Sequence, residues 1–257
     1  NHPTIRHIKF PHRPSDKPED DIPSDGWQVA TPDTVPNFTA VGYFFGRKLE
    51  AELDVPIGLI GSNWGGTRIE PWTPPVGFKS VPALKKITDN LASFPTKNNN
   101  GAIDHQSPLA LYNGMIHNFR HLNFRGAIWY QGESNAGRAY QYRDLFPLMI
   151  QNWRDVWDQG DFPFYWVQLA DFRMEKDQPS DSDWAELREA QTMTMSRLPN
   201  TGEAVIIDLG EAQDIHPKNK EDVGKRLARW ALAREYGFDL VHQSPRYASM
   251  ERQGSKI

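Results

Sequence analysis

Three short stretches of this sequence combine residue types that could move protons or stabilise negative charge. The first is Asp214-Ile215-His216-Pro217. His216 alone among the eight histidines is followed by proline and then by a strongly helical stretch, which predicts a position at a helix N-terminus with Pro217 in the first turn. The positive end of the helix would disfavour imidazolium and keep the ring neutral, the form a general base needs. Asp214 could orient that ring through its other nitrogen, as the acid of a hydrolase triad does. The plainer alternative is an Asp214 that caps the helix and a His216 at the surface.

The second stretch is Gly61-Ser62-Asn63-Trp64-Gly65-Gly66-Thr67. Its glycine spacing matches a phosphate-binding loop, but the lysine that would contact phosphate is missing. What remains is Gly65-Gly66, a place where backbone N–H groups can approach a developing oxyanion, or a plain tight turn. The third stretch holds Gln131, Gly132, Glu133, Ser134 and Asn135. An amide or carboxylate there can polarise a carbonyl. Gly132, Ser134 and Ala136 approximate a G-x-S-x-G nucleophile elbow with alanine for the second glycine, which makes Ser134 an alternative nucleophile.

These stretches need strands behind them. Apolar runs without clean alternation predict buried parallel strands at Val55 to Gly61, Gly126 to Gly132, Phe162 to Asp171 and Ala204 to Gly210, with a weaker one at Ile5 to Phe10. Helical periodicity predicts helices at Val41 to Leu53, Tyr142 to Trp157, Trp184 to Leu198 and Lys220 to Gly237, the last ending at a glycine C-cap. Alternating helix and buried strand imply an α/β sandwich with right-handed crossovers. All three chemical stretches follow strands, so they meet at the carboxyl edge of the sheet, where ligands bind in open parallel sheets. Trp129 and Trp166 lie on strands and are expected to pack.

Composition narrows the chemistry. The chain has 257 residues, 29 Lys and Arg against 33 Asp and Glu, and a net charge of −4, with no basic stripe to neutralise nucleic-acid phosphates. Zero cysteines exclude disulfides, thiolate nucleophiles and Cys-ligated metals. The histidines form no cluster with metal-site spacing, so no metal and no cofactor are expected. No apolar run approaches the roughly 18 residues that suggest a membrane span. Eleven of the 20 prolines fall in the first 75 residues, which places irregular structure at Lys9 to Trp27 and Glu70 to Pro75. The first of these reads as a surface loop with a solvated acidic face at Glu19 to Asp21.

The wording and order of the motifs are more specific than any motif singly. VPIGLIGSNWGGTRIEPWTP, LYNGMI (Leu111 to Ile116), GAIWYQGESNA and DIHPKNKEDVGKRLA resemble the sialate O-acetylesterase family, a branch of the SGNH hydrolases that remove acetyl groups from sugars. The resemblance runs from about Ile5 to the end. It implies a flavodoxin-like, three-layer α/β/α sandwich over residues 1–240, with residues 241–257 opening a following β-rich segment. It also implies His216 as catalytic base, with Asp214 or Glu133 as its partner. Gly65, Gly66, Gln131 and Asn135 are the expected oxyanion-hole residues, and Arg68, Trp64 and Trp72 are expected to bind sugar. The implied partner is an acetylated small sugar or polysaccharide, with no nucleic acid and no membrane, and the implied location is periplasmic or secreted.

Two departures accompany the resemblance. The family carries its nucleophilic serine in a GQSN motif on the first strand, and this chain has no GQSN. IRHIKF resembles the second strand, so the expectation is that the first strand is supplied by another segment, such as an N-terminal piece of the same gene product. In addition, Gln213 stands where many SGNH enzymes place the aspartate of D-x-x-H, leaving Asp214 two residues before the histidine. A non-catalytic carbohydrate-binding protein of the same fold is the rival from another class.

Overall fold

A computed structural model describes residues 1–255. The strands are β1 (His2–Lys9), β2 (Gln28–Ala30), β3 (Ile57–Gly61), β4 (Ala127–Trp129), β5 (Phe164–Val167) and β6 (Thr201–Ala204). The helices are α1 (Ala40–Leu53), α2 (Pro75–Phe78), α3 (Lys85–Asp89), α4 (Ala139–Trp157), α5 (Asp183–Arg197) and α6 (Lys220–Glu235). The strands form two three-stranded sheets, ordered β2-β1-β3 and β4-β5-β6. β1 and β3 pair in parallel from Ile5↔Ile57 to Lys9↔Gly61, while β2 adds an antiparallel edge with a register irregularity between His2 and Arg6. In the second sheet β4, β5 and β6 are all parallel. β3 and β4 each have a single strand neighbour, so each presents an unpaired edge among the described residues.

Helices cover both faces. α1 packs along α6 on one side, α1 over β1 and β3, and α6 over β5 and β6. One helix pair therefore spans both sheets. The approach is close at Gly224, where a Cβ would lie 2.7 Å from Phe44 Cβ and Phe45 N. α4 and α5 pack together on the opposite side. β5 shows why its sequence is apolar throughout: Phe164 and Trp166 enter the core with Phe146, Met149 and Leu187, while Tyr165 and Val167 enter the core with Leu49, Val223 and Leu227. Burying each large side chain of this kind stabilises the fold by about 1.5–3 kcal/mol. The three-layer α/β/α architecture matches the expectation from sequence.

Local signals account for the helix ends. The Ser182 hydroxyl accepts the Ala185 N–H at the start of α5, and the Asn219 side chain accepts the Asp222 N–H at the start of α6. α6 carries Glu221 and Asp222 in its first turn and is followed by Gly237 at φ +72°.

Several expectations need correction. β6 lies at Thr201–Ala204, not at Ala204 to Gly210. The chain leaves the ladder after Ala204 because Arg226 donates to Val205 O at 2.7 Å and holds Asp208 at 2.6 Å, fixing the apolar stretch as a turn. IRHIKF belongs to the longest strand, β1, and is not a weak one. α4 starts at Ala139, which leaves Pro147 in its interior. The proline-rich Glu70 to Pro74 stretch is buried, whereas Lys9 to Trp27 is mostly exposed and anchored by Phe10, Ser15 and Ile22. Residues 241–255 contain no helix or strand element; positions 256 and 257 of the expected β-rich segment lie outside the described residues.

Candidate active site

The stretches after β3, β4 and β6 lie at the carboxyl ends of their strands, and the first two are bonded together. The Asn135 side chain is 1% exposed and central to that union. Its Oδ1 accepts the Ile69 N–H at 3.0 Å and Gln131 Nε2 at 2.8 Å, and its Nδ2 donates to Glu70 Oε2 at 3.0 Å. Gln131 Nε2 also donates to Thr67 O at 3.1 Å, and Gln131 Oε1 accepts the Tyr142 hydroxyl at 2.9 Å. Both Gln131 amide hydrogens are thereby committed within the protein. It has no donor left for an oxyanion, which corrects its expected role. The other Glu70 oxygen pairs with Arg138. Glu70, Arg138 and Tyr142 carried no signal of this network in the sequence, because each reaches its partners through the fold.

The glycine turn is held through its acceptors. Gly66 O receives Gln106 Nε2 at 2.9 Å and the Ser134 hydroxyl at 2.8 Å, and Gln106 Oε1 accepts the Arg68 N–H at 3.0 Å. The Thr67 hydroxyl donates to Trp64 O and accepts Trp72 Nε1. By contrast, the N–H groups of Gly65 and Gly66 have no protein acceptor among the described residues. Gly66 sits at φ +75°, where a side chain would be strained, with open space around its Cβ position. Ser134 is exposed, and its proton goes to Gly66 O with no histidine partner.

The histidine loop differs from its expected form. Asn219 is the N-cap of α6 and Lys220 its first residue, so Pro217 and His216 stand before the first turn, and the dipole argument for His216 does not apply. The His216 side chain is 86% exposed. Asp214 Oδ1 accepts the backbone N–H of His216 at 2.9 Å, while its distance to the ring Nδ1 is 3.6 Å, too long for a hydrogen bond. That backbone bond holds the Asp214 carboxyl below its usual range. Glu133 behaves oppositely: burial pushes its carboxyl up, and the charges of Lys220 and His216 pull it back. Burial likewise lowers Lys220, whose ammonium lies 5.0 Å from the centre of the Tyr130 ring. Glu133, Lys220, Asp214 and His216 thus form one electrostatic neighbourhood.

The expected sugar-binding residues separate. Trp72 is 2% exposed and meets Trp129 edge to face, so it belongs to the core. Trp64 stacks against two imidazoles, His12 at 4.1 Å and His105 at 4.5 Å, so its ring is engaged within the protein and its expected role in binding sugar is corrected. Arg68 remains exposed. Trp166 is buried with its Nε1 donating to Glu203 at 3.2 Å, as a packing role requires.

Two mainly parallel half-sheets covered by helices on both faces, with polar loops at the carboxyl ends of the strands, make a three-layer α/β/α sandwich of the SGNH type. Residues 27–233 match the family described as carbohydrate esterase, sialic acid-specific acetylesterase. The chain belongs to this family. It is 35% identical to sialate O-acetylesterase of Homo sapiens over 227 residues, which covers 80% of this chain and 41% of that protein. It is 34% identical to the Mus musculus sialate O-acetylesterase over 251 residues, covering 81% and 46%. The chain spans less than half the length of these relatives. Among solved structures, a carbohydrate acetylesterase from Xanthomonas citri aligns with a TM-score of 0.83 and 41% identity, over 97% of this chain and 53% of that one. An Arabidopsis thaliana protein shares the fold at a TM-score of 0.55 and 17% identity.

Proposed function

We propose that this chain carries the base and the oxyanion-binding turn of a carbohydrate O-acetylesterase that cleaves acetyl esters on sialic acid or on acetylated polysaccharide. The observation that carries the reading is a glycine turn with free N–H groups at the same sheet edge as His216 and Glu133. Family membership supports it.

The nucleophile is a serine on a segment outside residues 1–257. That segment would add as a parallel strand beside the unpaired edges of β3 and β4, and its carboxyl end would deliver the serine to the edge where the loops gather. The His216 imidazole takes the hydroxyl proton as the serine oxygen attacks the acetyl carbonyl, then returns it to the departing sugar oxygen. Water repeats the cycle on the acyl-enzyme and releases acetate. The N–H groups of Gly65 and Gly66, with the second Nδ2 hydrogen of Asn135, steady the tetrahedral oxyanion, each donor worth about 3 kcal/mol. Glu133, in the same electrostatic neighbourhood, orients the imidazole, since Asp214 Oδ1 accepts the His216 backbone N–H and lies 3.6 Å from the ring. Arg68 is the cation available to an acidic sugar.

Acetate release from O-acetylated sugars by the full-length gene product tests this. Wild-type protein should release acetate, and His216→Ala should abolish release while leaving the melting temperature unchanged, since the ring is exposed. A His216→Ala variant as active as wild type would sink the reading. Sugar binding without turnover would favour the non-catalytic rival.

A further inference from the structure

We propose that Gln106 and Ser134 are positioning residues that lock the oxyanion-binding turn. The inference rests on the esterase reading and assigns roles to two side chains which that mechanism leaves unused.

The peptide unit is planar and trans, so fixing the Gly66 carbonyl also fixes the Thr67 N–H on the opposite side of the plane, where it closes the turn that carries the Gly65 and Gly66 N–H groups. Two groups from separate parts of the chain grip that carbonyl, Gln106 Nε2 at 2.9 Å and Ser134 Oγ at 2.8 Å. The Gln106 carboxamide also takes the Arg68 N–H at 3.0 Å. One side chain thus braces the turn on both sides of Thr67, as a neighbouring strand would. Gln106 is itself held, since its backbone N–H donates to Asp104 Oδ1 at 2.9 Å and the Asp104 N–H donates to Thr96 O at 2.9 Å. The adjoining His105 stacks on Trp64 at 4.5 Å with the rings 5° apart, pinning the residue just before the glycines. Every restraint acts on a carbonyl, a side chain or the Thr67, Arg68 and Ile69 N–H groups. The N–H groups of Gly65 and Gly66 remain unspent, as donors reserved for a charge that develops in the transition state must be.

Such a lock acts on kcat. A glycine turn at positive φ relaxes readily once its carbonyl is released, and a displacement of about 1 Å in a stabilising group can cost on the order of a hundredfold in rate. In the full-length gene product, Gln106→Ala and Ser134→Ala should each lower kcat about tenfold with KM within about twofold, and the pair should lose on the order of a hundredfold or more. Ser134→Thr keeps the hydroxyl and should restore most of the rate. Affinity for a boronic acid transition-state analogue should fall in step with kcat. Full kcat in both alanine variants would overturn the proposal, as would a loss confined to KM. If Ser134→Ala abolished turnover and Gln106→Ala were fully active, Ser134 would be the nucleophile and the lock would be wrong. A wild-type protein that releases no acetate would overturn the esterase reading and this inference together.

Discussion

Glu70 and Asn135 meet at 3.0 Å, joining the loop behind β3 to the loop behind β4, two strands that share no ladder. The Glu70 side chain is only 5% exposed and its second oxygen pairs with Arg138. A buried carboxylate is tolerated when its partners are in place, and removing one side of such a pair strands the other. Glu70→Ala should therefore cost about 3 kcal/mol of stability, read from urea unfolding, and Glu70→Gln should recover part of it. A loss under about 0.5 kcal/mol, the size of a neutral surface change, would mean that the two loops are held apart from this network.

The choice between Glu133 and Asp214 can be measured. Asp214 already spends Oδ1 on the His216 backbone N–H, so Asp214→Asn should reduce kcat by less than about tenfold. Glu133→Gln should reduce it by a hundredfold or more, within the roughly 10⁴ that a wrong imidazole tautomer costs. The reverse order would return the orienting role to Asp214.

His7 links stability to pH. Its ring is 2% exposed, stacked on Phe38 at 4.6 Å, and its Nε2 has no partner; burial lowers its pKa from 6.5 to about 4. Between those values the unfolded chain binds a proton that the folded chain refuses, so stability falls on acidification, by up to roughly 3 kcal/mol. The carboxyls of half-buried Glu133 and buried Glu203, raised by desolvation, act with the opposite slope. Comparison with His7→Phe isolates the histidine: urea midpoints measured from pH 7 to 4 should drop more steeply in wild type. Parallel curves would refute this account.

Gly224 sets the spacing of α1 and α6. A methyl group there would overlap Phe44 Cβ and the Phe45 backbone, which is not the flexible end of a side chain. Gly224→Ala should destabilise by about 1–3 kcal/mol despite alanine's better helix propensity, seen as a lower melting temperature. An unchanged or raised melting temperature would show that the helices separate at little cost.

The buried strands β3 and β5 were legible because a parallel sheet covered on both faces demands unbroken apolar residues, and such runs stand out. β6 was misplaced for a related reason. Its ladder runs through Thr201, Gly202 and Glu203, which do not look like a buried strand, and Glu203 is accommodated only because Trp166 and Thr192 donate to its carboxylate. β2 has three residues, too few for any period. In the candidate site, the glycines and His216 stand out by residue type, whereas the surroundings of Trp64, Trp72 and Gln131 do not. The rings that stack on Trp64 come from His12 and His105, on opposite sides of it in the chain, and no local pattern announces them. Gln106 escaped notice for the same reason, being an ordinary polar residue until the fold sets it against Gly66.

The unpaired edges of β3 and β4 carry a consequence for handling the protein. A bare strand edge will accept any extended segment, including one from another copy. α1 and α6 pack on each other and tie the two half-sheets together, so on the proposed reading a strand added beside these edges would have little further ordering to do. The same edges are sites for edge-to-edge association, so residues 1–257 on their own should self-associate as their concentration rises, seen as a concentration-dependent increase in light scattering.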